Sequence, residues 1–187
     1  MPVTITELFA ACGLSVSGPV RWSEPVPNNG PGVYVIAITR DPDACLWHSD
    51  PPVSLPICAQ WMISLNPPTI KSKAPLDARS LQHLLSNLWY PFETVLYVGK
   101  AGSSFATRVV QFYVHRLGDK GPHAGGQRLL TLSILFDLWV FWGNSPNPDD
   151  SERCMFDHFK EAIPALPKPV AFGGPEDVKI RPFANEM

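Results

Sequence analysis

Lys100, Arg108, His115 and Glu152 are the residues of this chain whose types and spacing suit chemistry on a phosphate. Residues 104–117 read as a helix. At about 100° per residue, Ser104, Arg108, Gln111 and His115 fall within a stripe roughly 60° wide. Phe105, Ala106, Val109, Val110, Phe112, Tyr113, Val114 and Leu117 cover most of the remaining circumference. A surface helix has the opposite proportions, so the expectation is a mostly buried helix whose one narrow polar edge borders a cleft. An arginine on such an edge can grip a phosphate through two parallel hydrogen bonds; pairing with a structural carboxylate is the plainer reading.

Glu152 is the complementary oddity. In the predicted helix 149–163, Met155, Phe156, Phe159 and Ile163 form the apolar stripe, and Glu152 lies one turn above it. A carboxylate on a buried face is paired or holds a metal. If Asp149 is the N-cap, Glu152 is instead the reciprocal glutamate of a capping box.

Local charge divides in the same way. From Tyr97 to Thr131, Lys100, Arg108, Arg116, Lys120 and Arg128 face only Asp119, a net of +4. From Asp137 to Glu161, six carboxylates face Arg153 and Lys160, a net of -4. Such a pair of segments can build a site for a phosphate and a metal together, or be two solvated faces. Within the basic segment, His123-Ala124-Gly125-Gly126 with Arg128 is a candidate phosphate contact, because glycines let backbone N–H groups approach an anion; a surface turn is the alternative.

The elements that must position these groups follow from pattern. Thr4-x-x-Glu7 resembles a capping box and predicts a short helix from Ile5 to Cys12, ending at Gly13. Residues 15–31 read as loop, 32–39 (GVYVIAIT) as a buried strand, 57–64 as a second strand, and 77–89 as a helix with Leu81, Leu84, Leu85 and Leu88 on one side. A strand at 94–99 leads into the helix 104–117. A helix at 127–135, a strand at 136–142 and the helix 149–163 complete the body, with a loop-like tail.

Composition bounds the rest. A chain of 187 residues with 45% hydrophobic residues fills one core, and 21 prolines imply long connections. The net charge of -2 provides no global attraction to nucleic acid or an acidic membrane. The N-terminus lacks a basic leader segment, and the longest apolar run, residues 129–142, is too short for the about 20 residues a bilayer demands. Cys12, Cys45, Cys58 and Cys154 form no regular framework, so a soluble, cytoplasmic protein with reduced thiols is expected. Cys45, His48, Asp50 and Cys58 match no common zinc spacing; buried thiols and loop residues are the simpler reading.

Gly32-Val33-Tyr34, then Tyr97-Val98-Gly99-Lys100, then Arg108 on the next helix and Glu152 on a later one, resemble a GIY-YIG nuclease. The closing Pro182-Phe183-Ala184-Asn185 is similar to the ending of that domain. The resemblance implies an α+β fold, a small antiparallel sheet of about three strands flanked by helices. Residues 31–40 and 94–165 would form the core of a single domain, 41–93 an insertion between the first two motif strands, and 166–187 a tail. It further implies metal-dependent hydrolysis of DNA. One divalent ion, Mg²⁺ or Mn²⁺, would sit on Glu152, one of the two matched tyrosines, Tyr34 or Tyr97, would help deprotonate the attacking water, and Arg108 would steady the phosphate. Lys100 and Asn185 take supporting places. Family members carry His or Tyr one turn after the arginine; that position is Phe112 here, and His115 or Tyr113 is the stand-in, His115 the preferred one.

The residue types are coherent with that chemistry. In-line attack on a phosphodiester needs charge neutralised on the non-bridging and leaving oxygens. A phenol is a poor base at neutral pH, and Lys100 and Arg108 nearby are expected to lower its pKa. The DNA-facing set is then Lys100, Arg116, Lys120, His123, Arg128 and Asn185. A restriction-type endonuclease is the leading expectation, and a homodimer a further one, since cutting both strands often takes two copies. A non-catalytic nucleic-acid-binding module on the same scaffold, or an unrelated α+β interaction protein, are the alternatives.

Overall fold

The computed structural model describes residues 3–46, 50–69, 74–91, 94–121, 124–162 and 181–185. Helix α1 (Ile5–Ala11) begins as its sequence predicts: the Thr4 hydroxyl accepts the Glu7 N–H at 3.1 Å, and the Glu7 carboxylate accepts the Thr4 N–H at 2.9 Å. Cys12 is the C-cap and Gly13 follows with φ +67°, the left-handed conformation that closes many helices.

Four antiparallel strands form the sheet, in the order β1-β4-β2-β3: β1 (Ser17–Arg21), β2 (Gly32–Ala37), β3 (Val95–Ala101) and β4 (Trp139–Asn144). The expectation of about three strands is corrected to four. The addition, β1, lies in the stretch expected to be loop. Its Gly18 and Pro19 are strand breakers in a central strand, but β1 is an edge, where a proline costs no ladder bond. Strand β4 is displaced towards the C-terminus from the expected 136–142, because Leu135–Asp137 forms a short 3₁₀ turn.

Alternation of side chains divides the core in two. Tyr34 and Ile36 of β2 point into one cluster, and Val33 and Val35 into the other. The Val33 face is covered by α1 and α5 (Pro148–Ala162), through Leu8, Phe9, Met155 and Phe159. The Tyr34 face is covered by α2 (Leu55–Met62), α3 (Ala78–Ser86) and α4 (Phe105–Tyr113).

Residues expected to form an insertion thus contribute to the core, through Val53, Cys58, Trp61, Leu81, Leu85, Leu88 and Trp89. The run expected as a strand at 57–64 is helix α2, with Pro56 in its first turn, where a missing N–H costs nothing. Cys58 and Trp61 of α2 meet Leu81 and Leu85 of α3 in the buried cluster. Asp77 caps α3 by accepting the Ser80 N–H at 2.7 Å. The expected helix at 127–135 is instead a 3₁₀ run, Ala124–Thr131.

Two expectations about buried surfaces fail. Only Phe105, Val109 and Phe112 of α4 are buried, while Val110 and Val114 are exposed, so α4 is an ordinary one-faced surface helix. The thiols are not all free: Cys12 and Cys154 form a disulfide, Cα atoms 5.9 Å apart, joining the end of α1 to α5. Among the described residues no helix is long and apolar enough to cross a membrane.

Candidate active site at the carboxyl ends of β3 and β4

Strands β3 and β4 end at the same side of the sheet, where Gly32 at the start of β2 lies opposite both Ala101 and Asn144. Helices α4 and α5 start just beyond those ends. Ser104 caps α4 by accepting the Thr107 N–H at 3.3 Å. The loop before β2 closes over the same helix end: Phe105 N–H donates to Gly30 O and Ala106 N–H to Asn28 O. This convergence brings Lys100 of β3 to Glu152 of α5, and sets Arg108 of α4 close enough to Tyr34 and Tyr97 to act on both electrostatically.

The two tyrosines are set by register. Tyr34 lies opposite Gly99, and Tyr97 is its diagonal neighbour on the same face, with ring centroids 5.9 Å apart. Gly99 is there for space. A Cβ on it would sit 2.6 Å from both the Tyr34 and the Tyr97 rings and 2.7 Å from the Tyr34 hydroxyl. Phe112, edge-on to Tyr97 at 5.1 Å, walls the other side.

Burial governs both phenols. Tyr34 is held well above the ordinary tyrosine range, first by desolvation and then by the Tyr97 hydroxyl, with Arg108 pulling the other way. Tyr97 is also raised by desolvation, against the opposing effects of Tyr34, Arg108 and Lys100. The expectation that Lys100 and Arg108 lower these values is corrected: the cations act in the expected direction, but loss of water outweighs them. The Tyr34 hydroxyl is fully buried and has no hydrogen-bond partner of good geometry among the described residues.

Glu152 is paired. Its Oε2 lies 3.0 Å from the Lys100 ammonium, which also donates to Asp149 Oδ1 at 2.6 Å. Helix α5 starts at Pro148, one residue before the supposed N-cap, and Asn147 O accepts the Ser151 N–H. Glu152 is thus a partner of Lys100, not the second half of an Asp149 capping box. Asp149 is the residue the sequence reading passed over, considered only as a cap. Its signal was available, since Asp149 and Glu152 are three apart and share one side of the helix.

Asn185 joins the same region from the far end of the chain. Its Oδ1 accepts the Val98 N–H and its Nδ2 donates to Val98 O, both at 2.7 Å. The amide thereby acts as a one-residue extra strand on the open edge of β3, between Tyr97 and Gly99.

Other predicted residues lie elsewhere. His115 follows the end of α4, off the supposed polar stripe, and is buried in a separate cleft, where desolvation lowers its pKa. Arg128 is buried, and a Cβ on Gly126 would run into the Phe112 ring, so Gly126 packs closely against α4. Arg116 and Lys120 are exposed. His123 and His48 fall outside the described residues. Cys45 is exposed, whereas Cys58 is buried in the core with its thiol pushed up to about 11, so they share no site.

Among the described residues no group of three or more His, Cys, Asp or Glu side chains is placed to hold a metal. Comparison with protein-family models, with curated proteins and with solved structures finds no match to this chain.

Proposed function

We propose that the chain is a metal-dependent DNA endonuclease of the GIY-YIG type, hydrolysing phosphodiester bonds. The observation that carries the reading is the meeting of Tyr34, Tyr97, Lys100, Arg108 and Glu152, from β2, β3, α4 and α5, at one end of the sheet. The sheet order supports it as well, with the Tyr34 strand central and the Tyr97 strand beside it.

Mg²⁺ or Mn²⁺ suits the donor set, since Mg²⁺ binds through one or two carboxylates plus substrate phosphate and water. Glu152, with Asp149 beside it, would hold the ion, which when bound supplies positive charge to the phosphate oxygens. Arg108 grips a non-bridging oxygen and steadies the charge that builds there. Tyr34 and Tyr97 stay neutral at neutral pH, so their hydroxyls orient the attacking water by hydrogen bonding. The unsatisfied Tyr34 hydroxyl is one such site. With Glu152 holding an ion, the Lys100 ammonium would be available to the phosphate.

One observation favours the second reading, a non-catalytic nucleic-acid-binding module: Lys100 already neutralises Glu152 and Asp149, the pairing that a decayed site would keep. Supercoiled plasmid with Mg²⁺ or Mn²⁺ separates the two. Nicking by the wild type that is lost in Glu152→Ala and in Arg108→Ala is the expected result. DNA binding without nicking supports the module, and nicking that survives Glu152→Ala sinks the site assignment.

A further inference from the structure

Away from that site, a cleft of about 440 Å³ opens between the end of α4 and the turn before β4. That volume lies in the range of pockets that take small organic molecules. Its walls are aromatic. The Trp22 and Tyr113 rings meet edge-on at 4.9 Å, and Phe136, two-thirds exposed, stands at the mouth. Phe136 is held there by the 3₁₀ turn Leu135–Asp137, whose Asp137 carboxylate pairs with Arg21 while Phe136 O accepts the Arg21 Nε–H at 2.9 Å.

The cleft also carries polar groups: Ser23, Gln60, Tyr113, His115 and Arg116 line it, and the Glu24 carboxylate lies near enough to Tyr113 to act on it. The Tyr113 hydroxyl is buried and has no hydrogen-bond partner among the described residues, which leaves a donor to be satisfied. Arg116 is exposed at the rim and makes no ion pair among the described residues. Its backbone is fixed because its main-chain N–H donates to Asp119 Oδ2 at 2.9 Å, and Gln127 ties the same loop through Gly118 N and Asp119 O. The buried His115 ring completes the floor.

An exposed Phe136 ring, the edges of Trp22 and Tyr113, an unsatisfied hydroxyl and an arginine at the rim suit a heteroaromatic ring bearing an anion. Unpaired bases stack on Phe, Tyr, Trp and Arg planes and bond through their exposed edges. We propose that this cleft binds a nucleotide, its base against Phe136 and the Trp22–Tyr113 wall and its phosphate on Arg116. The nucleotide is either free or an unpaired residue of a nucleic-acid strand; a paired base presents no face to stack. This site stands independently of the nuclease reading.

Titration calorimetry on the full chain tests it, using deoxynucleoside 5′-monophosphates, inorganic phosphate, a short single-stranded oligodeoxynucleotide and the same oligonucleotide as a blunt duplex. The mononucleotide or the single strand is expected to bind, and whichever binds identifies the source. Phe136→Ala and Arg116→Ala, both at exposed positions, should each weaken that binding about tenfold with no change in melting temperature. Glu152→Ala should leave it unchanged, so loss of nicking and loss of this site are read separately. Absence of nucleotide and single-strand binding would overturn the proposal. So would phosphate or duplex binding that Phe136→Ala weakens as much as it weakens the nucleotide or the single strand, or nucleotide and single-strand affinities indifferent to Phe136→Ala.

Discussion

The Lys100 ammonium lies 3.0 Å from Glu152 Oε2, and the same nitrogen reaches Asp149 at 2.6 Å, so one cation at the end of β3 holds two carboxylates near the start of α5. Any divalent ion on Glu152 must displace that ammonium or share its carboxylate. Lys100→Met should therefore tighten Mn²⁺ binding severalfold in calorimetry while reducing plasmid nicking. Exposed pairs of this kind contribute little to folding, so the melting temperature should barely move. Weaker ion binding in the variant would show that Lys100 supports the ion instead of competing with it.

The pair also sets a pH window. Hydrogen bonding to Asp149 and Glu152 raises the pKa of Lys100 above its ordinary 10.5, and Lys100 lowers that of Asp149 below 3.8. The raised lysine contributes stability that is fully present below pH 10.5 and is lost as pH rises through its folded value. The depressed aspartate contributes stability present above pH 3.8 and lost as pH falls through its folded value. Lys100→Met should flatten both limbs of the plot of stability against pH, measured by urea unfolding.

Gly99→Ala is expected to destabilise the protein by about 1–3 kcal/mol, the usual cost of overpacking a filled core. Its Cβ would meet the Tyr34 and Tyr97 rings at 2.6 Å, and both rings are hemmed in by β2, β3 and Phe112. For a domain of this size that is a fall of several degrees in melting temperature. Unchanged melting together with unchanged nicking would mean that the tyrosines are not held against Gly99.

The Cys12–Cys154 bond closes a loop across most of the chain, with a sequence separation of 142. In the chain-entropy account a loop of that length stabilises by about 5 kcal/mol as an upper figure. Thiol titration of the native protein should find only Cys45 reactive, since Cys58 is buried, and denaturation without reductant should expose two thiols, not four. Cys154→Ser, or a dithiol reductant, should lower the melting temperature. Four thiols in the denatured, unreduced protein would contradict the bond.

Local patterns in the sequence determined much of this. The Thr4–Glu7 capping box, the buried strand of β2, the leucine spacing of α3 and the order Tyr34, Tyr97, Arg108, Glu152 are all readable along the chain, because each depends on neighbours within a turn or an alternation. Only the tertiary structure decided the rest. Ser17–Arg21 is a strand because β4 offers it a partner, not through any propensity of Gly18 and Pro19. Leu55–Met62 is a helix because its one apolar face meets Leu81 and Leu85, a choice that so short an apolar run leaves open. The partner of Glu152, the elevation of both tyrosine pKa values and the separation of His115 from them depend on which groups lose water together. Water is excluded by residues far apart in sequence, and no local pattern records where they meet.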